Sequence, residues 1–208
     1  LLRAEAVLVE AQQTDGTWGD MLSTSAAVYA LAALPDAQRE KASREALAAG
    51  AIALRLQISE TLPNTDASLE SLATAVRALI ASGAEVDGAV FRQCYGRFTT
   101  ALQSTRFESI KGHMRLHHAW QLWQAAHLLR YVWGPDIEPE LEADLLASDQ
   151  GLAAELKRLL ASVSEGNNAL SRSDLCALVH MMSYLAPEAL NPSLPQVLKL
   201  IWSSPDEA

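Results

Sequence analysis

Apolar residues recur along this chain at spacings of three and four, the pattern of helices with one buried face, and no stretch alternates as a half-buried strand does. The first helix is expected from about Leu2 to Gln12, with Val7, Leu8 and Ala11 on one side. Ser23 or Thr24 caps a second, whose apolar face includes Ala27, Val28, Leu31 and Leu34 and which Pro35 ends. A third runs from about Ala37 to Ile58, with Leu47, Gly50, Ala51, Leu54 and Ile58 facing inward. Pro63-Asn64-Thr65-Asp66 reads as a turn and cap, before a helix that reaches Ala81 and stops at Ser82-Gly83. Asp87 caps the next, from Gly88 to about Leu102, and Phe107 to Gly112 reads as a loop. A helix then spans about Met114 to Trp133 and stops at Gly134-Pro135. Glu138 to Ser148 and Gly151 to Val163 read as two more. Ser171-Arg172-Ser173-Asp174 is a capping box for a helix to Leu185, which Pro187 ends, and Leu194 to Trp202 forms the last. About ten helices with short connections make an all-α chain of stacked hairpins. An apolar helix, a turn and an Ala/Leu helix recur at Leu1–Leu34, Ala42–Leu79 and Gly151–Leu185, with an irregular period of roughly 40 residues. The small side chains of Ala26, Ala27, Ala30, Ala32 and Ala33 let neighbouring helices approach closely, which suits a toroid or solenoid.

The turn between the first two helices has unusual chemistry: Glu10-Ala11-Gln12-Gln13-Thr14-Asp15-Gly16-Thr17-Trp18-Gly19-Asp20. Asp-Gly makes a tight turn, because Gly tolerates positive φ and Asp bonds back onto its own backbone. An amide at the end of one helix can bond the loose backbone groups of the next and lie against the indole. Such a loop staples one hairpin to its neighbour.

At 208 residues the chain fits one domain comfortably, or two small ones at most, and it reads as a single domain, residues 1–208. Its net charge of −9 and pI near 5.0 argue against nucleic acid and anionic membrane surfaces as partners, and fit a cytoplasmic location. Cys94 and Cys176 lie far apart without metal-ligand spacing, so neither a disulfide framework nor a metal is expected of them. Both sit in apolar helical patterns and read as buried small hydrophobes. No apolar run approaches the roughly 20 residues a spanning helix needs. The chain begins Leu1-Leu2 rather than with Met, as expected of a piece cut from a longer polypeptide.

The run from Ala6 to Leu34, with Gln12/Gln13, Asp15-Gly16, Trp18-Gly19 and Ser23-Thr24-Ser25, resembles the QW repeat of terpene cyclases. That superfamily includes squalene–hopene cyclases, class II diterpene cyclases and prenyltransferase β subunits. The resemblance implies an α/α toroid whose hairpins this motif ties together, and specifically a single β-type domain, either free-standing or cut from a multidomain protein. A second similarity covers Ser68 to Gln93, with Leu72-Ala73-Thr74-Ala75-Val76 and Val86-Asp87-Gly88. It looks like the helix and turn that carry the acidic motif of class II cyclases, whose middle Asp protonates an alkene or epoxide. Aligned on Ala73, the first Asp of that motif falls on Ser68 and the middle one on Glu70, with Asp66 two residues before Ser68. The Asp-Asp-x-x-Asp magnesium motif of class I synthases does not occur in the sequence.

Two constellations follow. Asp66 and Glu70 are four apart, so on one helix they share a face and can form a buried carboxyl pair; the alternative is that Asp66 caps the helix and Glu70 is solvated in its first turn. Trp120, Trp123 and His127, extended by Tyr131, form an aromatic stripe. Such faces stabilise carbocations by about 0.5–2 kcal/mol each, though a stripe of this kind also fills a core. His113 and His117 stand at a zinc-like spacing with His118 adjacent, but a catalytic zinc takes a third protein ligand and none is in motif relation to them. The expected activity is protonation-initiated cyclisation of a polyprenyl diphosphate, with Glu70 and Asp66 as acid and Trp120, Trp123, His127 and Tyr131 as pocket. It needs no cofactor beyond magnesium on the diphosphate, and a second terpene synthase domain is its expected partner. The alternative is a degenerate β domain acting as a structural or interaction module.

Overall fold

The computed structural model describes residues 2–105, 116–166 and 170–203. Among them are nine helices and no strand: α1 (Leu2–Ala11), α2 (Met21–Ala32), α3 (Lys41–Thr61), α4 (Leu69–Ser82), α5 (Ala89–Gln103), α6 (Leu116–Trp133), α7 (Pro139–Ser164), α8 (Arg172–Leu185) and α9 (Pro187–Ser203). No helix among them is long and apolar enough to cross a membrane. The loop expected over Phe107 to Gly112 lies outside the described residues, as does His113.

The chain divides into two compact units, one of Leu1–Phe98 with Ala125–Ile137, the other of Thr99–Gln124 with Glu138–Ala208. In the first, α2 packs on α3 and α4, α3 on α4, and α1 on α3. Its core is made of Val28, Leu31, Leu54, Ile58, Leu72, Val76, Leu79, Phe91, Tyr95 and Phe98, all fully buried. Trp133 closes one side, its indole donating to the Val86 carbonyl at 2.9 Å with the ring tilted on Tyr95. In the second unit α7, α8 and α9 pack on one another around Leu152, Leu156, Leu178, Met181, Met182 and Val197.

Local chemistry explains where the helices start and stop. Asp20, rather than Ser23 or Thr24, caps α2, accepting from the Ser23 amide at 2.8 Å. Thr24 is instead buried and accepts from the Trp18 amide at 3.2 Å. On α3, Leu47, Gly50, Leu54 and Ile58 are buried as their spacing requires, and Ala51 is half-buried. Gly83 ends α4 with φ at +75°, a conformation that costs an L side chain more than glycine. Ser171 caps α8, accepting from the Asp174 amide and donating to the Asp174 carboxylate at 2.8 Å. Pro187 both ends α8 and opens α9, because a first-turn proline has no helical N–H to lose.

The helices expected over Glu138–Ser148 and Gly151–Val163 are one, α7, running unbroken through Gly151. Glycine costs a helix interior about 0.5–1 kcal/mol against alanine, too little to break a helix that tertiary packing holds on both sides. A Cβ at Gly151 would meet only the Gln103 carbonyl, at 3.9 Å, an ordinary contact. Gly151→Ala is therefore expected to raise stability by about 0.5–1 kcal/mol, read as a higher denaturation midpoint with unchanged m.

Candidate functional site

The acid position lies where α4 begins. Ser68 is the N-cap, its hydroxyl accepting from the Ser71 amide at 3.2 Å. Asp66 therefore sits outside the helix, in a turn where its amide donates to Asn64 Oδ1 at 2.9 Å, and it is exposed. The i,i+4 relation between Asp66 and Glu70 needs both on one helix and is not formed, and the cap assigned to Asp66 belongs to Ser68. Glu70 is half-buried in the first turn of α4. The turn itself is held from α5. Arg97 donates to the carbonyls of Leu62 at 3.3 Å and Asn64 at 3.2 Å through Nη1, and of Thr65 at 3.2 Å and Ala67 at 3.4 Å through Nη2. A guanidinium fork shared among successive carbonyls fixes a turn that has no ladder of its own.

The aromatic stripe of α6 is divided. Trp120 and Trp123 fall in the second unit and His127 and Tyr131 in the first. Trp120 and Trp123 meet two rings of α8: His180 lies 5.7 Å from Trp120 and 6.4 Å from Trp123, edge-on to both, and Tyr184 lies 5.7 Å from Trp123. Trp123 is nearly buried, and its indole donates to Asp149 Oδ1 of α7 at 3.0 Å. His180 and Tyr184 escaped the sequence reading, although their four-residue spacing puts them on one helix face. Tyr131 is 81% exposed. The last turn of α6 turns Leu129 and Trp133 inward instead, which leaves Tyr131 outside. His127 is half-buried.

No protein-family model, curated protein or solved structure matches the chain. Its chemistry therefore rests on its own geometry.

His117 opens α6, with its amide 3.3 Å and its Nδ1 3.9 Å from Asp174 Oδ1, and its ring centre 4.0 Å from that of His118. Asp174 thus serves the first turns of two helices, α6 and α8. The cysteines differ from each other. Cys94 is buried, and burial pushes its thiol up to about 12, against the pull of nearby Arg97, so it is inert as a nucleophile. Cys176 is exposed, contrary to its expected burial, because it falls on the outer face of α8.

The loop between α1 and α2 is tied to its neighbours by several hydrogen bonds. Gln12 Nε2 donates both to the Gly16 carbonyl at 3.0 Å and to the Ala46 carbonyl of α3 at 2.8 Å. The Thr17 amide at 2.9 Å and hydroxyl at 2.8 Å hold the exposed Asp15 carboxylate below its ordinary range. Gly16 takes φ of +85° and lies so close to α3 that a Cβ would stand 2.9 Å from the Ala49 carbonyl oxygen. The Trp18 indole donates to the Leu8 carbonyl at 2.7 Å, and its ring covers Gly50. From α3, Gln57 donates to the Gly19 carbonyl at 3.0 Å. Every one of these contacts is structural, and together they clamp the α1–α2 loop on α3.

Proposed function

We propose that this chain is a non-catalytic helical domain of the terpene cyclase type, an α/α toroid module that serves a larger cytoplasmic terpene synthase as a structural or interaction unit. The observation that supports this best is the acid position. A carboxylic acid kept neutral by burial and hydrogen-bonded to a second carboxyl group can protonate an alkene. Here Asp66 is exposed and precedes the helix, and the hydroxyl of Ser68 is committed to the cap. The clamped loop agrees with the fold side of the resemblance, since it ties a hairpin to the next helix.

A second reading is cyclisation of a polyprenyl diphosphate with Glu70 as acid and magnesium on the diphosphate. The gathering of Trp120 and Trp123 with His180 and Tyr184 favours it, because such rings stabilise carbocations. Incubation with geranylgeranyl or farnesyl diphosphate separates the two. The wild-type chain and Glu70→Gln are both expected to return the substrate without cyclic product, with or without magnesium. A cyclic product that disappears in Glu70→Gln would overturn the non-catalytic reading in favour of the second.

A further inference from the structure

Helix α3 buries Ser43, Ala46, Leu47, Gly50, Ala53, Leu54 and Ile58. Its opposite face is exposed at Lys41, Glu45, Ala48, Ile52, Arg55 and Ser59, with Ile52 at 65%. These six positions advance alternately by four and three, the spacing of a two-helix seam. Turned end for end about Gly50, the seam matches itself: Ala48 falls opposite Ile52, Glu45 opposite Arg55 and Lys41 opposite Ser59. A two-fold contact makes each of these pairs twice.

We propose that α3 is a self-association surface that pairs antiparallel with α3 of a second copy of this chain. The order of charges carries the choice of partner. Antiparallel pairing sets Glu45 against the partner's Arg55 on both sides of the central Ala48 and Ile52 pairs. Parallel pairing would set Glu45 on Glu45 and Arg55 on Arg55, a like-charge arrangement that costs rather than stabilises. The small Ala48 leaves room for the partner's Ile52. Leu56, 59% exposed, borders the seam and falls opposite Arg44, whose alkyl stem can cover it. Arg55 also stacks on the Phe91 ring of its own chain, its guanidinium carbon 5.5 Å from the ring centre. Lys41 approaches Glu45 at 3.6 Å within the helix, but both are highly exposed and a pair of that kind is worth little.

Sedimentation over a dilution series tests this. The weight-average mass of the wild-type chain is expected to rise with concentration above the monomer's 22.5 kDa. Ile52→Glu and Glu45→Arg are each expected to move the association midpoint at least tenfold to higher concentration. Adding Arg55→Glu to Glu45→Arg restores opposite charges across the seam and is expected to bring the midpoint back. All three substitutions are at exposed positions, and far-UV circular dichroism checks that each variant keeps its helix content. A wild-type chain that stays at monomer mass throughout overturns the proposal. So does an Ile52→Glu chain that associates like wild type, or a double variant no more associated than Glu45→Arg alone.

Discussion

Truncating Trp18 to alanine is expected to lower the stability of the chain by about 3 kcal/mol, read as a drop in denaturant midpoint. Two losses add. The ring that covers Gly50 is removed, which opens a cavity between the loop and α3. The Leu8 carbonyl also loses the indole N–H that reaches it at 2.7 Å near the end of α1. The two parts separate experimentally. Trp18→Phe keeps most of the ring and loses only the donor, so it is expected to cost about 1 kcal/mol, the net worth of an ordinary hydrogen bond. If Trp18 were a surface residue of a free loop, both changes would fall within about 0.5 kcal/mol of wild type.

Gly50→Ala is expected to lower stability by about 2 kcal/mol, although helix propensity alone favours alanine by about 1 kcal/mol. Sterics decide the sign. A Cβ at Gly50 would stand 2.6 Å from Trp18 Cζ3 and 3.0 Å from Val28 Cγ2. The indole has little room to withdraw, because its N–H is bonded to Leu8 and its own amide to Thr24. Gly151→Ala is the control with the opposite sign, since that glycine faces an ordinary contact distance rather than a fixed ring. The same chemical change at two helix-interior glycines thus reports which of them touches the loop.

The Gln-Gln-Thr-Asp-Gly-Thr-Trp turn was legible in the sequence because its conformation is local: Asp15 and Gly16 make the bend within a few residues. What the turn grips was not legible. Ala46 and Gly50 lie about thirty residues further on, and only the packing of α1 and α2 against α3 brings them to Gln12 and Trp18. Helix type was clear throughout from the apolar period, while boundaries moved wherever polar side chains competed for a cap. Asp20 took the cap of α2 from Ser23 and Thr24, and Ser68 took that of α4 from Asp66. The second shift matters most for function, since it takes Asp66 off the helix on which Glu70 stands. The aromatic stripe is divided for a related reason. Spacing along α6 puts Trp120, Trp123, His127 and Tyr131 on one side, but different neighbours cover different turns of that helix. His180 and Tyr184, on a helix two elements later, are the rings that Trp120 and Trp123 reach.

The clamp of the α1–α2 loop on α3 is most directly tested by a double-mutant cycle on Trp18→Ala and Gly50→Ala. Removing the indole leaves space for the new methyl group, so the double variant is expected to lose less than the two single variants together, by 1 kcal/mol or more. Single losses that add to within about 0.3 kcal/mol would mean that Trp18 does not sit on Gly50, and would contradict the clamp.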